Sequence, residues 1–241
     1  MSEILLELRG VHTHIGAYHI LHGVDLAVPR GEVTMLLGRN GAGKTTTLRT
    51  IMGLWQASQG SICFGQQDIT RLATPAIARL NIAYVPENMG IFADLTVKEN
   101  LLLAARSASN AARMDRQRLD WIYELFPAVQ KFWDHPAGKL SGGQKQMVAV
   151  ARAMVEPRDL LIVDEPSKGL APAIINNMID AFARLKACGV SILLVEQNLA
   201  FAKRLGDGVA VMDNGRVVHA GRMADLAADE ALQQSLLGLS L

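Results

Sequence analysis

The chain has 241 residues and a formal net charge of +1, and half of its residues are hydrophobic although only 5% are aromatic. Such a chain suits one large domain with an aliphatic core, and its near-zero charge gives no strong field to attract nucleic acid or acidic lipid. No apolar run approaches the roughly 18 residues of a membrane span, and two widely separated cysteines indicate neither a disulfide framework nor a cysteine metal site.

The first 35 residues are predicted to be rich in β-strands, and two further short strands follow, because short apolar or alternating segments are bounded by glycine and proline. These strands are predicted at residues 6–11, 24–28, 33–37, 61–64 and 82–85. A glycine-rich loop begins at Gly38, and a helix is predicted from Lys44 to Gly53, where the glycine ends it.

The middle of the chain is predicted to be helical. Thr96 and Glu99 have the spacing of a capping box, in which each side chain satisfies a free backbone N–H at a helix start. Apolar residues then recur at helical spacing at Leu119, Ile122 and Leu125. Four arginines, at positions 106, 113, 116 and 118, are interpreted as a solvated helix face rather than a nucleic-acid patch.

The last third returns to alternating strands and helices. Strands are predicted at residues 160–163 and 190–195, separated by a helix that begins near Pro172 and ends at Gly189. Asn214-Gly215 predicts a hairpin turn, and the alanine-rich tail from Met223 is predicted to be helical.

The loop from Gly38 to Thr45 reads G-R-N-G-A-G-K-T and matches G-x-x-x-x-G-K-[ST], a nucleotide phosphate-binding pattern. Glycines let several backbone N–H groups point inward, and the following helix adds partial positive charge at its N-terminus. Lys44 supplies a full charge to the β- and γ-phosphates of ATP, and the Thr45 hydroxyl is placed to ligate Mg²⁺. The predicted phosphate-binding residues are Gly38, Arg39, Asn40, Gly41, Ala42, Gly43, Lys44, Thr45 and Thr46.

Two adjacent carboxylates follow the predicted strand at 160–163. Ligands of α/β sheets bind beyond the C-terminal ends of strands, so Asp164 is placed to hold Mg²⁺ directly or through water. Glu165 is one residue further on and is the candidate general base that activates the attacking water. The alternative is a pair of carboxylates in a solvated turn, and the phosphate loop elsewhere in the chain favours catalysis.

A second anion site is predicted where another helix begins. Leu140 to Gln144 reads L-S-G-G-Q; Ser141 and Gln144 form a capping box, and Gly142 and Gly143 expose the first amides of the helix. Here the sequence resembles the ABC ATPase family, whose signature reads LSGGQ. The resemblance implies that Ser141, Gly142, Gly143 and Gln144 contact the ATP of a partner chain, so that two ATP molecules lie between two subunits.

The expected fold class is therefore α/β: a P-loop NTPase (RecA-like) core, an N-terminal antiparallel β subdomain and an inserted helical subdomain. One ABC ATPase domain is predicted over residues 1–241. Residues 1–87 and 157–241 form the α/β core with the β subdomain, and residues 88–156 form the helical lobe.

Four positions depart from the usual family pattern. Glu87 stands where a glutamine is usual and is expected to reach Mg²⁺ through water, and Gln197 stands where a histidine contacts the γ-phosphate. Gln197 can donate a hydrogen bond but cannot become cationic. Ala171 replaces a common aspartate. Ile15 occupies the place of an adenine-stacking aromatic, and Tyr18 is the alternative adenine contact.

Together, V-P-E from Val85, S-K-G-L-A-P from Ser167 and V-E-Q-N from Val195 resemble the LivF-like branch, the ATPase subunits of branched-chain amino-acid importers. That resemblance implies a second ABC ATPase subunit in a hetero- or homodimer, two transmembrane permease subunits and an external solute-binding protein. It also implies a peripheral location at the cytoplasmic face of the inner (plasma) membrane.

Three alternatives remain: an importer of amides or urea, a weakly hydrolysing regulatory subunit, and a DNA-maintenance ATPase. Gln197 and Ile15 motivate the second. The third is disfavoured because those proteins carry a long coiled coil between the phosphate loop and the signature.

Apolar residues after Glu87 suggest a docking site for a short helix of a membrane partner. The alternative is that these residues simply pack the helical lobe. They are Met89, Ile91, Phe92 and Leu95.

Overall fold

Two β-sheets organise the part of the chain that the computed structural model describes, residues 3–105 and 114–238. The strands of these residues are β1 (Ile4–Ile15), β2 (Tyr18–Pro29), β3 (Val33–Gly38), β4 (Ala57–Phe64), β5 (Gln67–Asp68), β6 (Ile82–Val85), β7 (Leu160–Asp164), β8 (Ser191–Glu196), β9 (Gly208–Asp213) and β10 (Arg216–Arg222). The helices are α1 (Lys44–Ile51), α2 (Thr74–Ala78), α3 (Val97–Leu102), α4 (Arg116–Leu125), α5 (Pro127–Lys131), α6 (Gly142–Ala153), α7 (Pro172–Ala187), α8 (Leu199–Leu205), α9 (Met223–Ala228) and α10 (Glu230–Leu237).

The first sheet is antiparallel, with the order β2-β1-β4-β5. β1 and β2 are longer than predicted and meet at a turn where Ile15 pairs with Tyr18. Apolar alternation stops before this turn, but the buried Thr13 continues the inner face, and its hydroxyl lies 3.1 Å from that of Thr50 in α1. A satisfied hydroxyl can replace an apolar side chain on a buried face, which the alternation rule does not detect.

The second sheet has the order β10-β9-β3-β8-β7-β6, and only β10 runs antiparallel to its neighbour. Alternate residues of its strands face two separate cores, as expected for strands buried on both sides. Met35 and Val163 belong to the core shared with α6, α7 and α8, whereas Leu36 and Ile162 belong to the core shared with α1 and the antiparallel sheet.

Between β6 and β7 the chain forms α3 to α6. The capping boxes predicted at Thr96 and Ser141 are confirmed, with both reciprocal hydrogen bonds present in each. The apolar positions predicted on α4 are buried. The sequence pattern does not predict helices α2 and α8, because each is short. Helix α8 follows Asn198, whose side chain accepts a hydrogen bond from Phe201 N.

The interpretation of the arginine row as a solvated face is wrong for Arg118. Its guanidinium donates to Met154 O at 2.8 Å and to Glu156 O at 3.2 Å, so it satisfies carbonyls that follow α6. It also stacks on Trp121, 4.1 Å from the ring centroid. Positions 106 and 113 lie outside the described residues.

Among the described helices, none combines the length and the apolar character needed to cross a membrane.

Candidate active site

The predicted site residues come together at one edge of the parallel sheet. Gly38 at the end of β3 pairs with Met212, and Asp164 at the end of β7 pairs with Val195 of β8. The loops after β3, β6, β7 and β8 therefore leave the sheet side by side, as sites in open α/β sheets require.

Positive backbone φ angles shape the phosphate loop at Gly38 (146°), Gly41 (83°) and Gly43 (104°). A Cβ atom on Gly38 would lie 2.3 Å from Met212 O, so only glycine fits there. Gly215 N, in the turn between β9 and β10, donates to Ala42 O at 2.9 Å. The loop is thus supported from outside by the C-terminal strand pair.

Lys44 is buried at the start of α1 and points back into the loop. Its Nζ donates to Gly38 O at 2.8 Å and to Arg39 O at 3.1 Å. Burial lowers the pKa of Lys44, while the nearby Glu165 and Asp164 charges oppose that shift. The ammonium is therefore held against the carbonyl oxygens of the first two residues of the loop.

Thr45 and Asp164 together offer oxygen atoms that could ligate a metal ion. Thr45 Oγ1 donates to Asp164 Oδ1 at 3.2 Å. Asp164 is fully buried, and its Oδ2 has no hydrogen-bond partner among the described residues. Burial raises its pKa to about 6, and burial together with the Asp164 charge raises the pKa of Tyr84 to about 12. A hydroxyl and an unpartnered carboxylate oxygen fit Mg²⁺, which prefers hard oxygen ligands.

Glu165 has a left-handed backbone with φ 49°, an arrangement that costs a non-glycine residue about 1–3 kcal/mol and is common at functional sites. Its side chain is 9% exposed. Gln197 Nε2 donates to Oε1, and Lys44 Nζ lies 3.9 Å from the same oxygen. Lys168 Nζ lies 3.3 Å from Oε2. Both oxygens of the carboxylate therefore have a partner.

Glu87 follows β6 and lies beside this cluster. Its Oε1 pairs with Lys168 Nζ at 2.5 Å, which offsets the negative charge that a glutamate adds at this position. A water-mediated contact of Glu87 with Mg²⁺ stays a prediction.

Sequence reasoning missed two charged residues of the site, Lys168 and Glu196. Glu196 is buried at the end of β8 and accepts from Ser167 N and Ser167 Oγ, both at 2.9 Å, and from Gln197 N and Asn198 N. Burial raises the pKa of Glu196, and these hydrogen bonds oppose the shift. A carboxylate that ends an otherwise apolar strand is the sequence signal that could have identified it.

The signature residues open α6. Ser141 N donates to Gln144 Oε1 at 2.9 Å, and Gln144 N donates to Ser141 Oγ at 3.4 Å. Gly142 is exposed, whereas Gly143 is buried against Ile174 of α7. The first amides of α6 thus face outward on the Gly142 side.

The two adenine candidates lie at the turn between β1 and β2. Ile15 is half-buried, and Tyr18 is 76% exposed. Their contact with adenine stays a prediction.

Comparison with known proteins gives matches over most of the chain. A family model described as "ABC transporter" matches residues 21–168. The chain is 38% identical to the high-affinity branched-chain amino acid transport ATP-binding protein BraG of Pseudomonas aeruginosa, over 97% of this chain and 100% of that protein. It is 35% identical to the probable branched-chain amino acid transport ATP-binding protein LivF of Archaeoglobus fulgidus, over 96% of this chain and 99% of that protein. A Nod factor export ATP-binding protein I of Ralstonia nicotianae is 34% identical, over 95% and 70%.

Solved structures agree. The structure of an ATP-binding subunit of an ABC transporter is 33% identical, with a TM-score of 0.79 over 98% of this chain and 95% of that one. The ADP conformation of an ATP-binding cassette of an ABC transporter is 26% identical, with a TM-score of 0.81 over 97% and 98%.

Proposed function

The chain belongs to the ABC transporter family as an ATP-binding subunit with ATPase activity, and from that premise we propose that it powers an importer of branched-chain or other hydrophobic amino acids. The names of the relatives from Pseudomonas aeruginosa and Archaeoglobus fulgidus support this solute class. The similarity to an export protein makes the direction of transport part of the proposal.

ATP binding is assigned to the loop from Gly38 to Thr46. The amides of the loop and the first turn of α1 donate to the phosphates, and Lys44 Nζ supplies the positive charge. Thr45 Oγ1 and Asp164 Oδ2 would hold Mg²⁺, which would supply further neutralisation of the phosphate charge.

Hydrolysis is assigned to Glu165, which accepts a proton from water as the water attacks the γ-phosphorus and the bond from that phosphorus to the departing ADP breaks. The observation that carries this role is its position directly beyond the end of β7, beside Lys44 and Gln197. Gln197 donates to the γ-phosphate, which it can do without a charge.

The contact with a second ATPase chain is assigned to the start of α6. Ser141, Gly142, Gly143 and Gln144 contact the γ-phosphate of the ATP bound to the partner ATPase, whose own signature closes this site. Closing and opening of this pair moves two permease subunits between access states, and an external solute-binding protein delivers the solute. In this assembly, the chain lies at the cytoplasmic face of the inner (plasma) membrane.

The membrane contact is assigned to the loop at residues 89–95. Met89 and Ile91 pack partly against the core, as the packing alternative requires, but Phe92 is 53% exposed. Asn100 holds the loop through Phe92 N and Phe92 O, each at 3.0 Å, and Arg152 donates to Gly90 O at 2.7 Å. An ordered loop that presents an aromatic ring suits a small helix of a permease.

Glu165→Gln tests the chemical role. We expect ATP turnover to fall by a factor of about 10²–10⁴, while MgATP is still bound and the paired subunits stay closed. Lys44→Ala is the matched control, because it should lose ATP binding itself. Rapid turnover by Glu165→Gln would remove Glu165 from the role of base.

The solute class needs the assembled transporter in vesicles. ATP-dependent uptake of leucine, isoleucine and valine is expected, whereas uptake of urea or short amides in their place would move the chain to that alternative. A weakly hydrolysing regulatory role, motivated by the neutral Gln197, predicts that Glu165→Gln slows transport less than the same change in the partner ATPase.

A further inference from the structure

The proposed mechanism assigns no role to Lys168, yet its ammonium lies between the carboxylates of Glu87 and Glu165. Its Nζ lies 2.5 Å from Glu87 Oε1 and 3.3 Å from Glu165 Oε2. Glu87 follows β6 and Glu165 follows β7, which are paired neighbours in the sheet. Lys168 therefore bridges two adjacent loops.

The backbone conformation of residues 165–168 positions Lys168 for these contacts. Lys168 N donates to Glu165 O at 3.2 Å, so residues 165–168 form a tight turn that brings the lysine side chain back towards Glu165. At the same time Ser167 is fixed by Glu196 through its N and Oγ. The turn that carries Lys168 is thus held by a hydrogen bond within it and by the contact of Ser167 with Glu196.

We propose that Lys168 is a positioning residue for hydrolysis: it orients the Glu165 carboxylate towards the attacking water and is itself anchored by Glu87. The proposal rests on the role of Glu165 as base. Lys168 acts through Glu165 and does not touch ATP.

The division of partners on the Glu165 carboxylate supports this assignment. Oε1 faces Gln197 and Lys44, and both of these groups have a phosphate to contact in the proposed reaction. Oε2 faces Lys168, to which the proposed reaction assigns no phosphate. When Gln197 and Lys44 turn to the phosphates, Lys168 is the partner that remains and fixes the direction of the carboxylate.

Stability alone does not explain the bridge. The Lys168 side chain is 58% exposed and that of Glu87 is 46% exposed, and ion pairs with such exposure contribute little to folding. Substitution of Lys168 should therefore leave the fold intact, so that its effect on turnover can be measured directly.

The experiment compares Lys168→Gln with Lys168→Arg in the full-length chain with its ATPase partner. Lys168→Gln is expected to lower kcat for ATP about tenfold, a part of what a well-placed general base contributes, without changing KM. Lys168→Arg keeps a cation within reach of both carboxylates and should restore most of the rate. Lys131→Gln, which removes an exposed charge on the helical lobe, controls for charge loss alone.

Two further variants test the order of the chain of contacts. Glu87→Gln keeps a side-chain oxygen that can reach Mg²⁺ through water and removes only the charge that pairs with Lys168. It should therefore lower kcat less than Lys168→Gln, and the double variant should match Lys168→Gln. In a Glu165→Gln background, Lys168→Gln should cause no further loss.

Wild-type kcat in Lys168→Gln, a change confined to KM, or an arginine variant no better than the glutamine variant would overturn the proposal. If Glu165→Gln itself turns over ATP rapidly, the assignment of the base fails instead. If Glu165→Gln is inactive while Lys168→Gln is unimpaired, only the positioning role fails.

Discussion

Three carboxylates at the edge of the sheet have three different environments. Asp164 is fully buried and has one oxygen without a partner. Glu196 is equally enclosed, but four donors surround it. Glu165 is nearly buried and contacts two cations and an amide. Because an uncompensated buried charge is unfavourable, Asp164 is the carboxylate that most needs an added cation.

Asp164→Asn should stabilise the protein in the absence of metal at neutral pH. The folded pKa of about 6 lies above the ordinary value of 3.8. The protonated carboxyl therefore contributes its full stabilisation below pH 3.8, and this stabilisation is lost as the pH rises through 6. Ionised Asp164 then costs up to about 3 kcal/mol, from roughly two pKa units at 1.36 kcal/mol each. Thermal unfolding with EDTA from pH 4 to pH 8 measures the difference.

The gain of Asp164→Asn over wild type should grow with pH and level off above the folded pKa. Asp159→Asn, an exposed change at the opposite end of β7, should show no such trend. A gain of equal size at every pH would contradict the argument from burial.

At the residue scale, the sequence predicts which residues meet at the edge of the sheet better than it predicts their partners. The glycines of the phosphate loop and Asp164 are set by local context, namely the end of a strand or the start of a helix. The contacts of Glu196 with Ser167 and of Lys168 with Glu87 join residues far apart in sequence. No spacing rule encodes such pairs, because they depend on which strands become neighbours.

Among the elements, α6 has two adjacent glycines with different surroundings. A Cβ on Gly143 would lie 2.6 Å from Ile174 Cγ2, whereas a Cβ on Gly142 would meet only Leu170 Cδ2 at 4.0 Å. Gly143 thus lets α6 approach the first turn of α7, and Gly142 keeps the outer side of the helix start free of side chains. One glycine serves packing, and the other serves the surface proposed to meet a partner's phosphate.

Alanine at these two positions should separate folding from catalysis. Gly143→Ala overpacks the α6–α7 contact and should lower the free energy of unfolding by about 1–3 kcal/mol. Gly142→Ala has room and a helical backbone, so its stability should stay equal or rise by about 0.4–1 kcal/mol, while ATP turnover of the paired subunits falls. Urea unfolding and ATPase assays measure both effects. Equal stability of the two variants would contradict the packing argument.

Helix starts with a capping box could be predicted almost to the residue, since their signals lie within four positions. The length of the β1–β2 hairpin could not be predicted in this way, because the buried hydroxyl of Thr13 has its hydrogen-bond partner, Thr50, in another element. Similarly, the sequence predicts a solvated Arg118, whereas its guanidinium satisfies carbonyls at the end of α6.

On the scale of the whole molecule, the parallel sheet separates two cores, and the chain between β6 and β7 forms the helical lobe. The alternation of strands and helices predicts this class of fold. The strand order does not follow from it: β3 lies between β8 and β9, strands that are made far later in the chain. What the motifs do predict is that their loops share one edge of the sheet.

Phe92→Asp should prevent assembly with the permease subunits, since a charge on an exposed apolar docking surface is costly to bury. ATP binding by the variant should be unchanged, because Phe92 lies on the loop before α3 and is not among the residues assigned to ATP. Co-purification with the permeases measures assembly. Val218→Asp is the matched control, since Val218 is 50% exposed on β10 at the far end of the sheet. Normal assembly of Phe92→Asp would move the membrane contact elsewhere.

The support of the phosphate loop by the turn between β9 and β10 has a consequence for biosynthesis. Gly38 and Ala42 rest on Met212 and Gly215, which lie after β8 and are therefore synthesised much later than the loop itself. A nascent chain that has already exposed the whole loop still lacks the strands that shape it. Truncated products that end before this turn would therefore carry the nucleotide motif without a loop shaped to bind phosphate, and so would not compete with finished subunits for ATP.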